Sequence, residues 1–230
     1  MFDKVLIANR GEIAVRINRA CQELGISTVA IHSEADADSM HVRIADESVC
    51  IGPNPVNKSY LNAHAIISAC EITGAQAVHP GYGFLSENAS FAKMLDDHKL
   101  TFIGPKHKHI SMMGDKIEAK KIMQEYGVPT VPGSKGAVAD LKDALKTSKD
   151  IGFPVLLKAS AGGGGRGMKV VNDEKELTDA LPIIKQEALS FFGNDSIYIE
   201  KFIDSPRHIE IQVICDSHNN FLHLHERDCS

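Results

Sequence analysis

Residues 153–171 have the sequence FPVLLKASAGGGGRGMKVV, in which a glycine-rich loop stands between two short apolar segments. The apolar segments predict β-strands, so the pattern is strand, glycine loop, strand. A Walker A loop would end in Gly-Lys-Ser/Thr and open a helix, and neither feature is found here. Glycine N–H groups can close on an anion because no Cβ blocks the approach. With Lys158 ending the first strand, the stretch predicts a flap over nucleotide phosphates; a flexible linker is the alternative.

The composition limits the class of protein. The chain has 230 residues, 43% hydrophobic and 24% charged, which is typical of a globular protein of one or two domains. Its net charge of -5 argues against a nonspecific nucleic-acid binder. The five cysteines show no C-x-x-C spacing, which disfavours structural zinc and a disulfide framework. No signal peptide or membrane-length apolar run is evident. We therefore expect no nucleic-acid or membrane partner and a cytoplasmic location.

The first part of the chain alternates strands and helices. Residues 4–8 predict a buried strand, residues 13–24 a helix and residues 27–32 a second strand. Such a β-α-β unit implies a parallel sheet with a right-handed crossover. The alternation continues to about residue 105, so we predict an α/β fold that begins with a doubly wound domain. The G-x-G-x-x-G of dinucleotide-binding domains does not follow the first strand.

The second part predicts a different arrangement. Residues 106–126 predict a helix, which the glycines and prolines of residues 127–133 end. Further predictions are helices at 141–151 and 173–190, a strand at 197–202 and an antiparallel pair turning at 216–220. On that pair, His208, Glu210 and Gln212 share one face and the neighbouring apolar residues the other. The sequence does not decide whether the polar row lines a site or faces water.

Five motifs resemble those of the biotin carboxylase family of ATP-grasp ligases, in the same order and along the whole chain. They are IANRGEIA (7–14), HPGYGFLSEN (79–88), MGDK (113–116), KASAGGGGRGM (158–168) and ERDCS (226–230). Ala161 departs from the family, which often has a fifth glycine there. The resemblance implies a pre-ATP-grasp domain at 1–105, a linker at 106–133, an ATP-grasp lid subdomain at 134–203 and, at 204–230, a truncated start of the C-terminal ATP-grasp subdomain.

The resemblance also implies an activity. Members use Mg-ATP to activate bicarbonate as carboxyphosphate and then carboxylate biotin on a carrier protein. Within the family, the chain most resembles the free-standing bacterial subunit of acetyl-CoA carboxylase, which feeds malonyl-CoA into fatty-acid synthesis; pyruvate and propionyl-CoA carboxylases are alternatives. The implied cofactors are ATP, Mg²⁺ and carrier-bound biotin. The implied partners are the biotin carboxyl carrier protein, the carboxyltransferase subunits and a second copy, which would meet Arg16, Arg19 and Glu23 of the first helix.

The resemblance assigns nucleotide-binding roles residue by residue. Two lysines and the glycine flap are expected to contact the phosphates. A methionine and residues 200–203, the hinge segment, are expected to contact the adenine. Two residues of the last strand pair are expected to line the floor of the site. The full set is Lys116, Lys158, Gly162, Gly163, Gly164, Gly165, Met168, Glu200, Lys201, Phe202, Ile203, His208 and Glu210. Tyr82 is placed near biotin.

Other expected residues are missing from this chain. In the family, the metal ligands, the base for bicarbonate and the arginine that stabilises the biotin enolate lie beyond the position of Ser230. No catalytic or metal-binding residue is therefore assigned, and the 230-residue chain alone is expected to be inactive. Two other functions stay open: a dinucleotide-binding oxidoreductase and a noncatalytic fragment that assembles with partners. A metal site at His223 and His225 is an alternative to plain strand histidines.

Overall fold

The computed structural model describes residues 1–160 and 167–230, except for the side chains of residues 116 and 117. The predicted glycine flap, Gly162–Gly165, and the side chain of Lys116 therefore lie outside the described residues. The chain forms two compact units, Met1–Ala119 and Lys120–Ser230. Among the described residues, each helix is too short or too polar to cross a membrane.

The first unit is built on a five-stranded sheet in which all neighbouring strands are parallel. The strand order is β3-β2-β1-β4-β5. The strands are β1 (Lys4–Ile7), β2 (Ser27–Ser33), β3 (Glu47–Gly52), β4 (Ala77–His79) and β5 (Thr101–Phe102). The helices are α1 (Gly11–Glu23), α2 (Met40–Ile44), α3 (Ala63–Thr73), α4 (Ala89–Asp97) and α5 (His107–Gly114). The predicted α/β fold with a doubly wound sheet is confirmed.

The central strand β1 is buried on both faces, as expected for a parallel sheet covered by helices. Val5 and Ile7 pack against Ala14 and Ile17 of α1, on one side. Leu6, between them in sequence, points to the opposite side and joins the core formed with α3 and α4. Side chains alternate between faces along a strand, so three consecutive apolar residues fill two separate cores.

Two asparagines define where helices of the first unit begin. The Asn62 side chain accepts a hydrogen bond from the backbone N–H of Ala65 (3.2 Å), and Asn88 accepts one from Phe91 (2.8 Å). Each bond satisfies one of the N–H groups that the first turn of a helix leaves unpaired. Both helices therefore start directly after the asparagine, at Ala63 and Ala89.

The second unit contains a three-stranded antiparallel sheet and a separate hairpin. The sheet has the order β7-β6-β8, with β6 at Val155–Ala159, β7 at Met168–Val171 and β8 at Ile197–Lys201. Helices α7 (Leu141–Ile151) and α8 (Glu174–Phe192) pack against this sheet. The hairpin pairs β9 (Ile209–Cys215) with β10 (Phe221–Asp228). The predicted strands on both sides of the glycine-rich stretch are confirmed, and they are paired with each other.

The helix predicted over residues 106–126 is interrupted. Helix α5 ends at Gly114, and a new helix, α6, covers Lys116–Glu125. Between them, Asp115 has an extended backbone, with φ -88° and ψ 112°. Its carboxylate accepts a hydrogen bond from the N–H of Glu118 at 3.0 Å. An aspartate that bonds the N–H three residues ahead is a typical N-cap, so it begins a second helix.

Candidate functional site

One face of the sheet in the second unit carries the residues of interest. The other face holds Val155, Leu157 and Ile199, which pack into a core with α7 and α8. Because side chains alternate along a strand, Lys158 and Glu200 point away from that core. The β-sheet register sets Lys158 opposite Met168 on β7 and opposite Tyr198 on β8. Three predicted nucleotide-site residues, Lys158, Met168 and Glu200, are thus brought onto one sheet face.

The carboxylate of Glu200 is held by two lysines. Its Oε2 is 2.6 Å from Nζ of Lys158, and its Oε1 is 3.2 Å from Nζ of Lys120. The exposed fractions of the three side chains are 14% for Glu200, 24% for Lys158 and 16% for Lys120. Two ammonium groups and one carboxylate leave one positive charge in excess. This trio is an anion-attracting group set in a largely enclosed place.

Electrostatics keep the Glu200 carboxyl ionised. Burial acts to raise its pKa, but the hydrogen bond and charge of Lys158, together with Lys120, outweigh burial and hold the pKa below its usual range. The neighbouring phenol behaves oppositely: burial and the Glu200 charge raise the pKa of Tyr198 to about 12. Nζ of Lys158 lies 6.0 Å from the centre of the Tyr198 ring, a cation–π distance. Near neutral pH the charges on this face are therefore those of Glu200 and the lysines.

A short segment pairs with the outer edge of β8. The N–H of Lys201 donates to the Pro132 carbonyl at 2.8 Å, and the N–H of Ser134 donates to the Ile199 carbonyl at 2.8 Å. Gly133 forms an isolated bridge with Glu200. An ideal Cβ on Gly133 would lie 2.5 Å from the Ile199 oxygen and 2.8 Å from Nζ of Lys120. Glycine is therefore required if this segment is to pass so close to the trio.

The predicted hinge residues Lys201, Phe202 and Ile203 differ in what they contact. Nζ of Lys201 donates to the carbonyls of Gly152 and Phe153, at 3.0 Å each, so its charge anchors a loop. The N–H of Phe202 donates to the Pro154 carbonyl at 3.2 Å. The side chain of Ile203 is half exposed. Two backbone donors of the hinge are thus already engaged within the protein.

The two predicted residues at the hairpin, His208 and Glu210, bond to partners at the hairpin itself. Glu210 forms an ion pair of 2.5 Å with Arg227 of the opposite strand. The backbone of His208 bonds with Ser230 and Cys229, at 2.9 and 2.8 Å. Within the described part of the chain, neither side chain bonds to Glu200. Apolar and polar faces of the hairpin are both exposed.

Tyr82 lies in the first unit, on the loop after β4, which pairs with β1 where the strand order of the sheet reverses. In doubly wound sheets the crevice at such a switch point is where ligands bind. The buried Asn9 side chain donates to the carbonyls of Pro80 (2.7 Å) and Tyr82 (2.9 Å). The Tyr82 hydroxyl donates to Glu12 at 3.0 Å, while two thirds of the tyrosine remains exposed. The ring is therefore presented to solvent by a loop with a fixed backbone.

Sequence reasoning missed three of these residues. Asn9 and Glu12 belong to the first motif, but nothing in the sequence linked them to Tyr82, some 70 residues away. Lys120 was one of several lysines near Lys116, and its partner Glu200 is 80 positions away. The ring centres of His223 and His225 are 5.2 Å apart. In residues 1–160 and 167–230, no group of three or more His, Cys, Asp or Glu side chains could hold a metal ion, so the structure supplies no third ligand for these histidines.

Comparison with known proteins gives consistent matches for both units. Residues 1–110 match the family described as biotin carboxylase, N-terminal domain. Residues 115–230 match the family described as carbamoyl-phosphate synthase L chain, ATP binding domain. These matches leave no ground for the dinucleotide-binding oxidoreductase considered above.

Individual relatives agree with these matches. The chain is 57% identical over 231 residues to biotin carboxylase from Haemophilus influenzae, of which it covers 52%. It is 57% identical over 229 residues to the mitochondrial propionyl-CoA carboxylase alpha chain of Rattus norvegicus, covering 31%. It also resembles, with a TM-score of 0.90 and 52% identity, the biotin carboxylase domain dimer of the Hydrogenobacter thermophilus 2-oxoglutarate carboxylase, solved with MgADP, ADP and bicarbonate. All of the chain is covered, and 51% of that structure. The chain thus spans about half the length of the biotin carboxylases that it matches.

Proposed function

The chain belongs to the biotin carboxylase family, and from this premise we propose that it is the nucleotide-binding half of an ATP-dependent ligase that carboxylates biotin. The observation that carries the proposal is the net positive charge of the Lys158, Glu200 and Lys120 trio. This charge lies on the sheet face opposite the α7 and α8 core, and strands β6 and β7 of that sheet flank the glycine-rich stretch. A nucleotide polyphosphate is a ligand whose negative charge suits such a place.

In the proposed reaction, a bicarbonate oxygen attacks the γ-phosphorus of ATP, the bond to the β-phosphate oxygen breaks, and ADP leaves. The resulting carboxyphosphate passes its carboxyl group to a biotin nitrogen, and the departing phosphate takes up the proton that this nitrogen loses. Negative charge spreads over the phosphoryl oxygens during transfer, so the protein contributes chiefly by positioning and by fixed positive charge. Lys158 supplies such charge from this chain, and we also assign phosphate contacts to Lys116 and Gly162–Gly165.

We also propose which residues hold the adenine of ATP and which residue contacts biotin. Met168 and backbone groups of the 200–203 hinge would hold the adenine, with His208 and Glu210 along the floor. Tyr82 would contact biotin at the switch point, because its exposed ring is carried on a fixed loop. Mg²⁺ would accompany ATP, and among the described residues no group of three or more His, Cys, Asp or Glu could hold the ion.

We further propose that the whole protein serves acetyl-CoA carboxylase and so supplies malonyl-CoA. Its partners would be the carrier protein, the carboxyltransferase subunits and a second copy of itself. Arg16, Arg19 and Glu23 are exposed on α1, where such a copy could bind. The equal 57% identity to a propionyl-CoA carboxylase chain makes that enzyme the second candidate. Five free thiols fit a reducing compartment such as the cytoplasm.

The proposal is tested by bicarbonate-dependent ATP hydrolysis and free-biotin carboxylation. The natural full-length protein should show both activities, and the 230-residue chain alone should show neither. A full-length protein that hydrolyses no ATP in the presence of bicarbonate and biotin would overturn the proposal. Carboxylation of acetyl-CoA compared with propionyl-CoA by the native complex would identify the parent enzyme.

A further inference from the structure

Lys120 is not an ordinary surface lysine. Its side chain is only 16% exposed, and its ammonium group reaches an inner carboxylate on β8 from helix α6. The passage exists because Gly133 has no side chain: a Cβ there would lie 2.8 Å from the Lys120 Nζ and 3.2 Å from Glu200 Cγ. Lysine carries a large rotamer entropy, so enclosing its head has a cost that a defined contact must offset. The neighbouring Lys121 is exposed and, among the described residues, forms no ion pair.

Lys120 changes what Glu200 does to Lys158. With Glu200 alone, the ammonium of Lys158 would sit in a neutral pair at 2.6 Å, which offers an anion little attraction. Lys120 occupies the other carboxylate oxygen at 3.2 Å and adds a second positive charge. Glu200 is then shared between two cations, and one positive charge is left for a ligand.

We propose that Lys120 is a positioning residue for nucleotide binding, which acts through Glu200 to hold the Lys158 ammonium and its surplus charge toward the phosphates. The inference rests on the proposed function, because the ligand it serves is the ATP of that reaction. It predicts an effect on the phosphate-bearing part of the nucleotide and none on the adenosine part.

The experiment compares variants of the natural full-length protein by calorimetric titration with MgATP and with adenosine. Lys120→Met should weaken MgATP binding by about tenfold, because it removes one unit of positive charge and leaves Lys158 in a neutral pair with Glu200. It should leave adenosine binding within about twofold, and its loss should be smaller at high salt. Lys120→Arg should restore most of the MgATP affinity, because it keeps the charge on Glu200. Lys121→Met is the matched control and should bind both ligands as the wild type does.

Two results would overturn the inference. The first is MgATP affinity unchanged in Lys120→Met. The second is an equal loss of MgATP and adenosine binding, which would make Lys120 a purely structural contact. The thermal unfolding midpoint of each variant shows whether it is folded. If Lys120→Met does not fold, Lys120→Arg is the variant on which the inference is tested. A wild-type protein that binds no MgATP would instead refute the proposed function.

Discussion

The hydroxyl of Tyr60 donates a hydrogen bond of 2.6 Å to the carboxylate of Asp36, and both side chains are buried. Asp36 also receives two hydrogen bonds from the guanidinium of Arg10, of 2.7 and 2.5 Å. The same Tyr60 oxygen accepts the backbone N–H of Ser33 at 3.1 Å. This network connects the end of β2 with the turn between β1 and α1.

Tyr60→Phe should lower the free energy of unfolding by about 1–3 kcal/mol, because it leaves buried polar partners unsatisfied. The measurement is urea unfolding at pH 7 followed by circular dichroism. Tyr126→Phe is the control: Tyr126 is 80% exposed, and its change should stay within about 0.5 kcal/mol. Equal effects of the two substitutions would show that the Tyr60 hydroxyl contributes nothing.

Acid should destabilise the first unit through Asp36. The hydrogen bond from Arg10, aided by that from Tyr60, holds the pKa of the Asp36 carboxyl well below its usual range despite burial. Between the folded and unfolded pKa values the unfolded chain binds more protons, so stability falls as pH falls below about 4. Urea unfolding from pH 7 to pH 3 should show a smaller loss in Asp36→Asn than in the wild type. Parallel curves would contradict this assignment.

Gly81→Ala should disturb the loop that carries Tyr82. Gly81 has φ +64°, and a Cβ there would lie 2.8 Å from both Asn9 Nδ2 and Ile13 Cγ2. Gly83 has φ +71° but open space around it, so Gly83→Ala suffers only the backbone penalty. We expect Gly81→Ala to be less stable than Gly83→Ala by about 1–3 kcal/mol in thermal unfolding. If the two variants unfold alike, Asn9 does not constrain this loop.

Gly133→Ala should weaken the contact of residues 132–134 with β8. The added methyl group would collide with the Ile199 carbonyl oxygen at 2.5 Å, and backbone cannot yield as a side chain does. A loss of about 1–3 kcal/mol in unfolding free energy is expected. Gly136→Ala, three residues further on, has nothing within 4 Å and should change stability by no more than about 0.5 kcal/mol. The opposite ranking of the pair would rule out the close approach at Gly133.

Much of the fold was predictable because its signals are local. Apolar periodicity and glycine stops located strands and helices of both units, among them the helices predicted at 141–151 and 173–190. The division of residues 106–126 was missed because Asp115 acts through a cap that interrupts an otherwise helical composition. Helix α2 was also missed, since five residues carry too little periodicity.

The candidate site was predictable only in part. Lys158 and Met168 stand beside the glycine-rich stretch, so their placement opposite one another follows from the strand pairing. The contact between Lys120 and Glu200 joins residues 80 positions apart, and no pattern in the sequence relates them. The link from Asn9 to the Tyr82 loop is equally distant. Such pairings are set by tertiary packing, which a single sequence does not display.

The position of β1 in the middle of its sheet has a consequence for the time course of synthesis. β1 leaves the ribosome before the other strands of its sheet, and one of its two neighbours, β4, is encoded about 70 residues later. At ~5–20 residues per second, translation of that interval takes roughly 4 to 15 s. During this interval one edge of Val5, Leu6 and Ile7 has no native strand beside it. During those seconds a chaperone can bind the unpaired apolar edge of β1. This contact should end when residues 77–79 emerge and pair with β1.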